Sequence, residues 1–119
     1  MAKTILAVDD DLVNLKVLQS RLQKEGYTVV VAMDGELALY KLETLTPDLI
    51  ILDVQMPNMN GYVFILELRK IPKFEQLPVI VLTSYNEMEP IFKFNNVQHY
   101  IVKPINFDIL FEKMKAVGL

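Results

Sequence analysis

Leu49-Ile50-Ile51-Leu52-Asp53 is the stretch on which the fold turns, because four aliphatic residues run without alternation into a carboxylate. An unbroken apolar run of strand length is expected of a strand buried on both faces, as in a parallel sheet covered by helices. Working outward, similar runs occur at Thr4 to Val8, Tyr27 to Ala32, Val79 to Leu82 and Tyr100 to Val102, most of them rich in Val, Ile or Leu.

Helical patterns lie between them. From Leu12 to Glu25, Val13, Val17, Leu18 and Leu22 recur at roughly helical spacing, while Lys16, Gln19, Arg21 and Lys24 supply a polar side. Gly26 then gives a C-terminal stop. A second helix is expected after Asp34-Gly35, with Leu37, Ala38 and Leu42 inward and an end before Pro47; others fit Tyr62 to Lys70 and Asn106 to Val117. Strands alternating with helices imply an α/β, doubly wound fold: a five-stranded parallel sheet with right-handed crossovers and helices on both faces. Between Asn86 and Asn96, Pro90 fits only the first turn of a helix, so any helix there should be short.

Composition bounds the rest. A chain of 119 residues suits one domain, residues 1–119, and a 52% hydrophobic content with mean hydropathy +0.28 suggests several fully buried elements. No apolar run approaches the roughly 18 residues of a membrane span, so no membrane role and a cytoplasmic location are expected. The absence of cysteine excludes disulfides, thiolate zinc sites and cysteine nucleophiles. A net charge of −3 gives no basic field, so direct binding to nucleic acid is not expected.

Several predicted strands end in reactive side chains. Val8 leads to Asp9 and Asp10, Leu52 to Asp53, Leu82 to Thr83 and Ser84, and Val102 to Lys103. In an open α/β sheet these carboxyl ends share one edge, where ligands bind. Three carboxylates repel one another unless a cation offsets them, and all-oxygen donors suit a hard ion such as Mg²⁺. Lys103 would balance charge and then bind a phosphate oxygen, Thr83 would donate a hydroxyl hydrogen bond, and Asp53 is the best-placed nucleophile.

Taken together, Asp9-Asp10, the run Asp53-Val54-Gln55-Met56-Pro57-Asn58-Met59-Asn60-Gly61, Thr83-Ser84 and Lys103-Pro104 resemble the receiver domain of two-component response regulators over essentially the whole chain. The resemblance implies a flavodoxin-like fold of strand order 2-1-3-4-5. It implies Asp53 as the phospho-acceptor, forming an aspartyl phosphate. Asp10 and Asp53 would be side-chain Mg²⁺ ligands and Gln55 a backbone-carbonyl ligand, with Asp9 acting through metal-bound water. Thr83 and Lys103 would be the switch and phosphate-binding residues, and Tyr100 the aromatic whose rotation reports phosphorylation. It also implies a cis Lys103-Pro104 bond. The partners would be a sensor histidine kinase or phosphotransfer protein upstream and an effector protein or domain downstream. The domain would catalyse only its own phosphorylation and dephosphorylation.

Each residue also has a plainer reading. Asp9, Asp10 and Asp11 can all open a helix as caps; that reading is preferred for Asp11, whereas the matching Asp53 and Lys103 reverse it for Asp9 and Asp10. Thr83, Ser84 and Tyr100 taken singly read as structural, as do His99 and Met33, Met56, Met59, Met88 and Met114. The Thr83 to Lys103 interval is slightly shorter than the family's usual one, and Asn95-Asn96-Val97 replaces a common glycine turn. By the resemblance, the face built from the helix expected within Asn86 to Asn96, the last strand and the last helix is the output face that transmits phosphorylation to partners, and the shortening is expected to change the geometry it presents. Gln55 and Tyr85 flank positions expected to tune phosphate loss. The chain ends at Gly118-Leu119, near the expected end of the last helix, and so reads as a stand-alone regulator or a module of a longer protein. Two rivals remain: a pseudo-receiver that only binds partners, and an aspartyl-nucleophile phosphatase, against which Gln55 stands where a second acid is needed.

Overall fold

Neighbouring residues of each central strand enter two different cores. In the computed structural model, which describes residues 3–53, 61–83 and 99–119, the strands are β1 (Thr4–Val8), β2 (Thr28–Ala32), β3 (Leu49–Asp53), β4 (Val79–Thr83) and β5 (His99–Val102). The helices are α1 (Leu12–Lys24), α2 (Gly35–Lys41), α3 (Gly61–Arg69) and α4 (Phe107–Ala116), with a 3₁₀ turn at Pro72–Phe74. Leu6, Val8, Ile50, Leu52, Val79 and Val81 pack with Ala38 and Leu42 and with Phe64, Ile65 and Leu68 of α3. Ile5, Ala7, Leu49, Ile51, Ile80 and Leu82 pack instead with Leu15, Leu18 and Leu22 of α1 and with Leu110 and Met114 of α4. Both faces are covered, so the alternation is apolar on apolar and leaves no polar signature in the sequence.

All pairings are parallel, in the order β2-β1-β3-β4-β5. The doubly wound sheet and its order agree with the expectation. Most of the expected elements are present to within a residue or two; the short segment expected from Asn86 to Asn96 lies outside the described residues.

Four assignments to the packed interior are corrected. Val13 and Val17 of α1 are 69% and 50% exposed, and Leu15 is buried in their place. Leu15, Leu18 and Leu22 form a stripe of larger side chains at helical spacing, and that stripe takes the sheet. Leu37 of α2 is likewise exposed, beside buried Ala38 and Leu42. Met33 is also exposed, so it is not a core residue, whereas Met114 is. The 3₁₀ turn carries no periodic signal but buries Phe74, and the Arg69 guanidinium ties it down by donating to the Phe74 and Leu77 carbonyls at 2.8 Å each.

Local chemistry sets the helix ends. The Gly26 amide donates to Gln23 O and the Tyr27 amide to Leu22 O, a Schellman closure that needs the φ of +97° held by Gly26. At the start of α2, Asp34 Oδ1 accepts the Leu37 amide at 2.8 Å. An Asp34→Ala substitution should therefore lower stability by about 1 kcal/mol, seen as a lower urea midpoint at unchanged slope.

Candidate functional site

Strand register brings the reactive residues level. Val8 pairs with Leu52, so Asp9 and Asp53 stand side by side at the ends of β1 and β3. Asp53 pairs with Leu82 and Thr83 with Val102, which puts Thr83 one residue further out and Lys103 just beyond the end of β5. The Lys103 amide donates to Thr83 O at 2.8 Å, which holds its main chain against β4. The Lys103-Pro104 peptide is cis, as the resemblance implies.

The side chains converge accordingly. Lys103 Nζ lies 3.2 Å from Asp53 Oδ2 and 3.9 Å from Asp9 Oδ2. Carboxylate oxygens of Asp9, Asp10 and Asp53 all fall within 4.8 Å of one another. Asp9, Asp53 and Thr83 are buried, each at most 2% exposed, whereas Asp10 faces solvent and Lys103 is partly covered. Tyr100 is half-buried and packs against the core on the α2 and α3 side. Gln55 lies outside the described residues.

Three carboxylates against one ammonium leave an excess of negative charge in a partly desolvated pocket. Burial pushes the Asp9 carboxyl up to about 6; the neighbouring charge of Asp53 adds to this, while the Asp11 amide and Lys103 pull the other way. A second cation would relieve the repulsion that remains. The donor set fits a hard divalent ion, being all carboxylate oxygen with Asp10 open to solvent.

The raised Asp9 carboxyl has a consequence for stability. With the metal chelated, the folded chain holds this proton up to about pH 6, whereas the unfolded chain releases it near 3.8. Between those values the folded state binds more protons, so this group's contribution falls as pH rises through the window. Urea unfolding across that range should show wild type losing stability relative to an Asp9→Asn variant. Parallel profiles would contradict the assignment.

His99 begins β5, and its imidazole is held below the usual value, chiefly by burial and also by the charge of Lys113. It sits at the strand end opposite the acids, which agrees with a structural role. A groove of about 520 Å³ adjoins Lys103, walled by Val17, Leu18, Ile105 and Phe107. Sequence reading gave Asp11 only a capping role, yet its amide also donates to Asp9 Oδ1 at 2.9 Å. No residue pattern signals a contact made through a main-chain amide.

A parallel sheet in the order β2-β1-β3-β4-β5, with acids and a lysine at its carboxyl edge, places the chain in the flavodoxin-like class. Residues 5–115 match the Response regulator receiver domain, and the chain belongs to that family. It is 32% identical over 119 residues to the response regulator PleD of Caulobacter vibrioides, covering 98% of this chain but 26% of PleD. The chain thus spans about a quarter of that relative's length. The chemotaxis protein CheY4 of Vibrio cholerae superposes with a TM-score of 0.92 at 32% identity, covering 98% of this chain and 99% of CheY4. TrrA of Thermotoga maritima, solved in complex with Mg²⁺-BeF, gives 0.86 at 38% identity, covering 97% and 98%.

Receiver domains of two-component response regulators are signalling domains, and this chain is consistent with phosphoryl acceptance in a phosphorelay. Receiver domains bind Mg²⁺ at an acidic site, with which the Asp9, Asp10 and Asp53 cluster is consistent. Response regulators interact with histidine kinases and effector domains. Among the described residues, no helix is long and apolar enough to cross a membrane.

Proposed function

We propose that residues 1–119 form one receiver domain that accepts a phosphoryl group on Asp53 from a phosphohistidine of a sensor histidine kinase or phosphotransfer protein. The observation that carries this reading is the 3.2 Å approach of Lys103 Nζ to Asp53 Oδ2, with Asp9 and Asp10 alongside. An Asp53 carboxylate oxygen attacks phosphorus, the bond from phosphorus to the imidazole nitrogen breaks, and the imidazole takes up a proton from water. The product is an acyl phosphate on Asp53.

Asp10 and Asp53 would hold Mg²⁺ through their side chains, Asp9 through water, and Gln55 through its carbonyl by motif. When bound, that ion supplies the positive charge that lets a carboxylate meet an incoming phosphoryl group. Lys103 is poised to leave its pairing with Asp53 for a phosphate oxygen, and Thr83 to donate its hydroxyl to another. Movement of Thr83 together with Tyr100 then shifts the population of the output face presented to an effector protein or domain. The reading places the domain in the cytoplasm and requires neither nucleic acid nor membrane.

Incubation with Mg²⁺ and a small acyl phosphate should add one phosphoryl mass to the intact protein, on the peptide containing Asp53. Absence of that gain would overturn the reading. Sustained turnover of phosphate esters without a labelled protein would point instead to a phosphatase.

A further inference from the structure

Asp11 is committed on two sides. Its Oδ1 accepts the amides of Val13 at 2.9 Å and Asn14 at 3.2 Å, and its carbonyl accepts the Leu15 amide at 3.0 Å, which together start α1. Its own amide donates 2.9 Å back to Asp9 Oδ1. The backbone is extended, with φ −92° and ψ 109°, the conformation of a helix cap.

These two sets of bonds are mechanically linked. The helix fixes Asp11 from its Cα onward, and rotation about φ then decides where its N–H points. A side chain that accepts from the first turn holds Asp11 in its extended cap conformation, and the amide is thereby aimed at Asp9. Asp9 is itself buried and its amide is tied to Ala32 O at 3.1 Å, so its carboxylate has little freedom except at the side-chain torsions. The Asp11 amide occupies Oδ1, which leaves Oδ2 on the side of Lys103 Nζ, 3.9 Å away.

We infer that Asp11 is a positioning residue for the acidic cluster, acting through the Asp9 carboxylate: it caps α1 so that its amide fixes Asp9 Oδ1 and directs Oδ2 toward the shared site. The inference rests on the reading of that cluster as the Mg²⁺ site. The cap requires a short acceptor, not a charge, so Asn and Ser serve at this position and Ala does not. That requirement separates positioning from simple attraction of a cation by a further carboxylate.

Calorimetric titration of MgCl₂ into folded protein tests it, with thermal unfolding of each variant measured in parallel. Wild type must first bind Mg²⁺; no binding there would overturn the reading of the site and not the positioning relation alone. Asp11→Ala is expected to weaken Mg²⁺ binding by about three- to ten-fold, while Asp11→Asn and Asp11→Ser stay close to wild type. If the Ala variant does not fold, Asp11→Gly removes the same acceptor at smaller cost to the helix and should show the same loss. A lower Tm with unchanged Mg²⁺ affinity in the Ala or Gly variant would overturn the inference, leaving a purely structural cap. Equal weakening in the Asn and Ala variants would overturn it too, since charge would then be what matters.

Discussion

An Asp53→Ala variant is expected to take up no phosphoryl group under conditions that label wild type fully. Nearby oxygens do not replace it. Asp9 is the buried carboxylate that shares the cluster with Asp53, but its Oδ1 is held by the Asp11 amide. With one oxygen already engaged by an amide donor, Asp9 is poorly placed to turn a lone pair toward an incoming phosphoryl group. In the variant, Lys103 Nζ keeps Asp9 as a partner, so the ammonium is not stranded and the fold should survive. Intact-mass spectrometry over a time course reads the outcome directly. Label at the wild-type level in the variant would remove Asp53 from its assigned role.

A Lys103→Met variant is expected to lose about 10²-fold in the rate of labelling by a small acyl phosphate, the scale seen when one preorganised donor to a developing anion is removed. Met keeps the length and apolar stem of the side chain but removes the charge. The main chain should hold, because the Lys103 amide stays bonded to Thr83 O. Mg²⁺ binding should not weaken, since the ammonium at 3.2 Å from Asp53 competes with a cation for the same oxygens. The pairing of slower labelling with undiminished Mg²⁺ affinity distinguishes loss of a phosphate contact from general damage to the site. A labelling rate within about two-fold of wild type would refute the role of Lys103.

Much of the site was legible because its residues are written at strand ends. A run such as Leu49 to Leu52 must be buried, and the polar residue that follows must then emerge at the sheet edge. The same logic found Asp9, Thr83 and Lys103. Asp11 escaped because its reach to Asp9 is made by a backbone N–H, which every residue but proline possesses. The exposed faces of α1 and α2 misled for another reason. Val13 and Val17 lie four apart and satisfy helical spacing as well as Leu18 and Leu22 do, so periodicity alone does not choose between overlapping stripes. The Pro72–Phe74 turn escaped because three residues are too few to show a period.

By itself the sequence determined the number of strands, their alternation with helices and the chemical groups at their ends, because run length and the identity of the next residue are local properties. Strand order 2-1-3-4-5 was implied by family likeness and not by periodicity. Tertiary structure alone decided that Val8 lies level with Leu52, that Lys103 Nζ reaches Asp53 rather than solvent, and which stripe of α1 is buried. Those outcomes depend on register and packing between segments tens of residues apart. No local pattern encodes the relative height of two strands, and it is that height which turns separate acids and a lysine into one site.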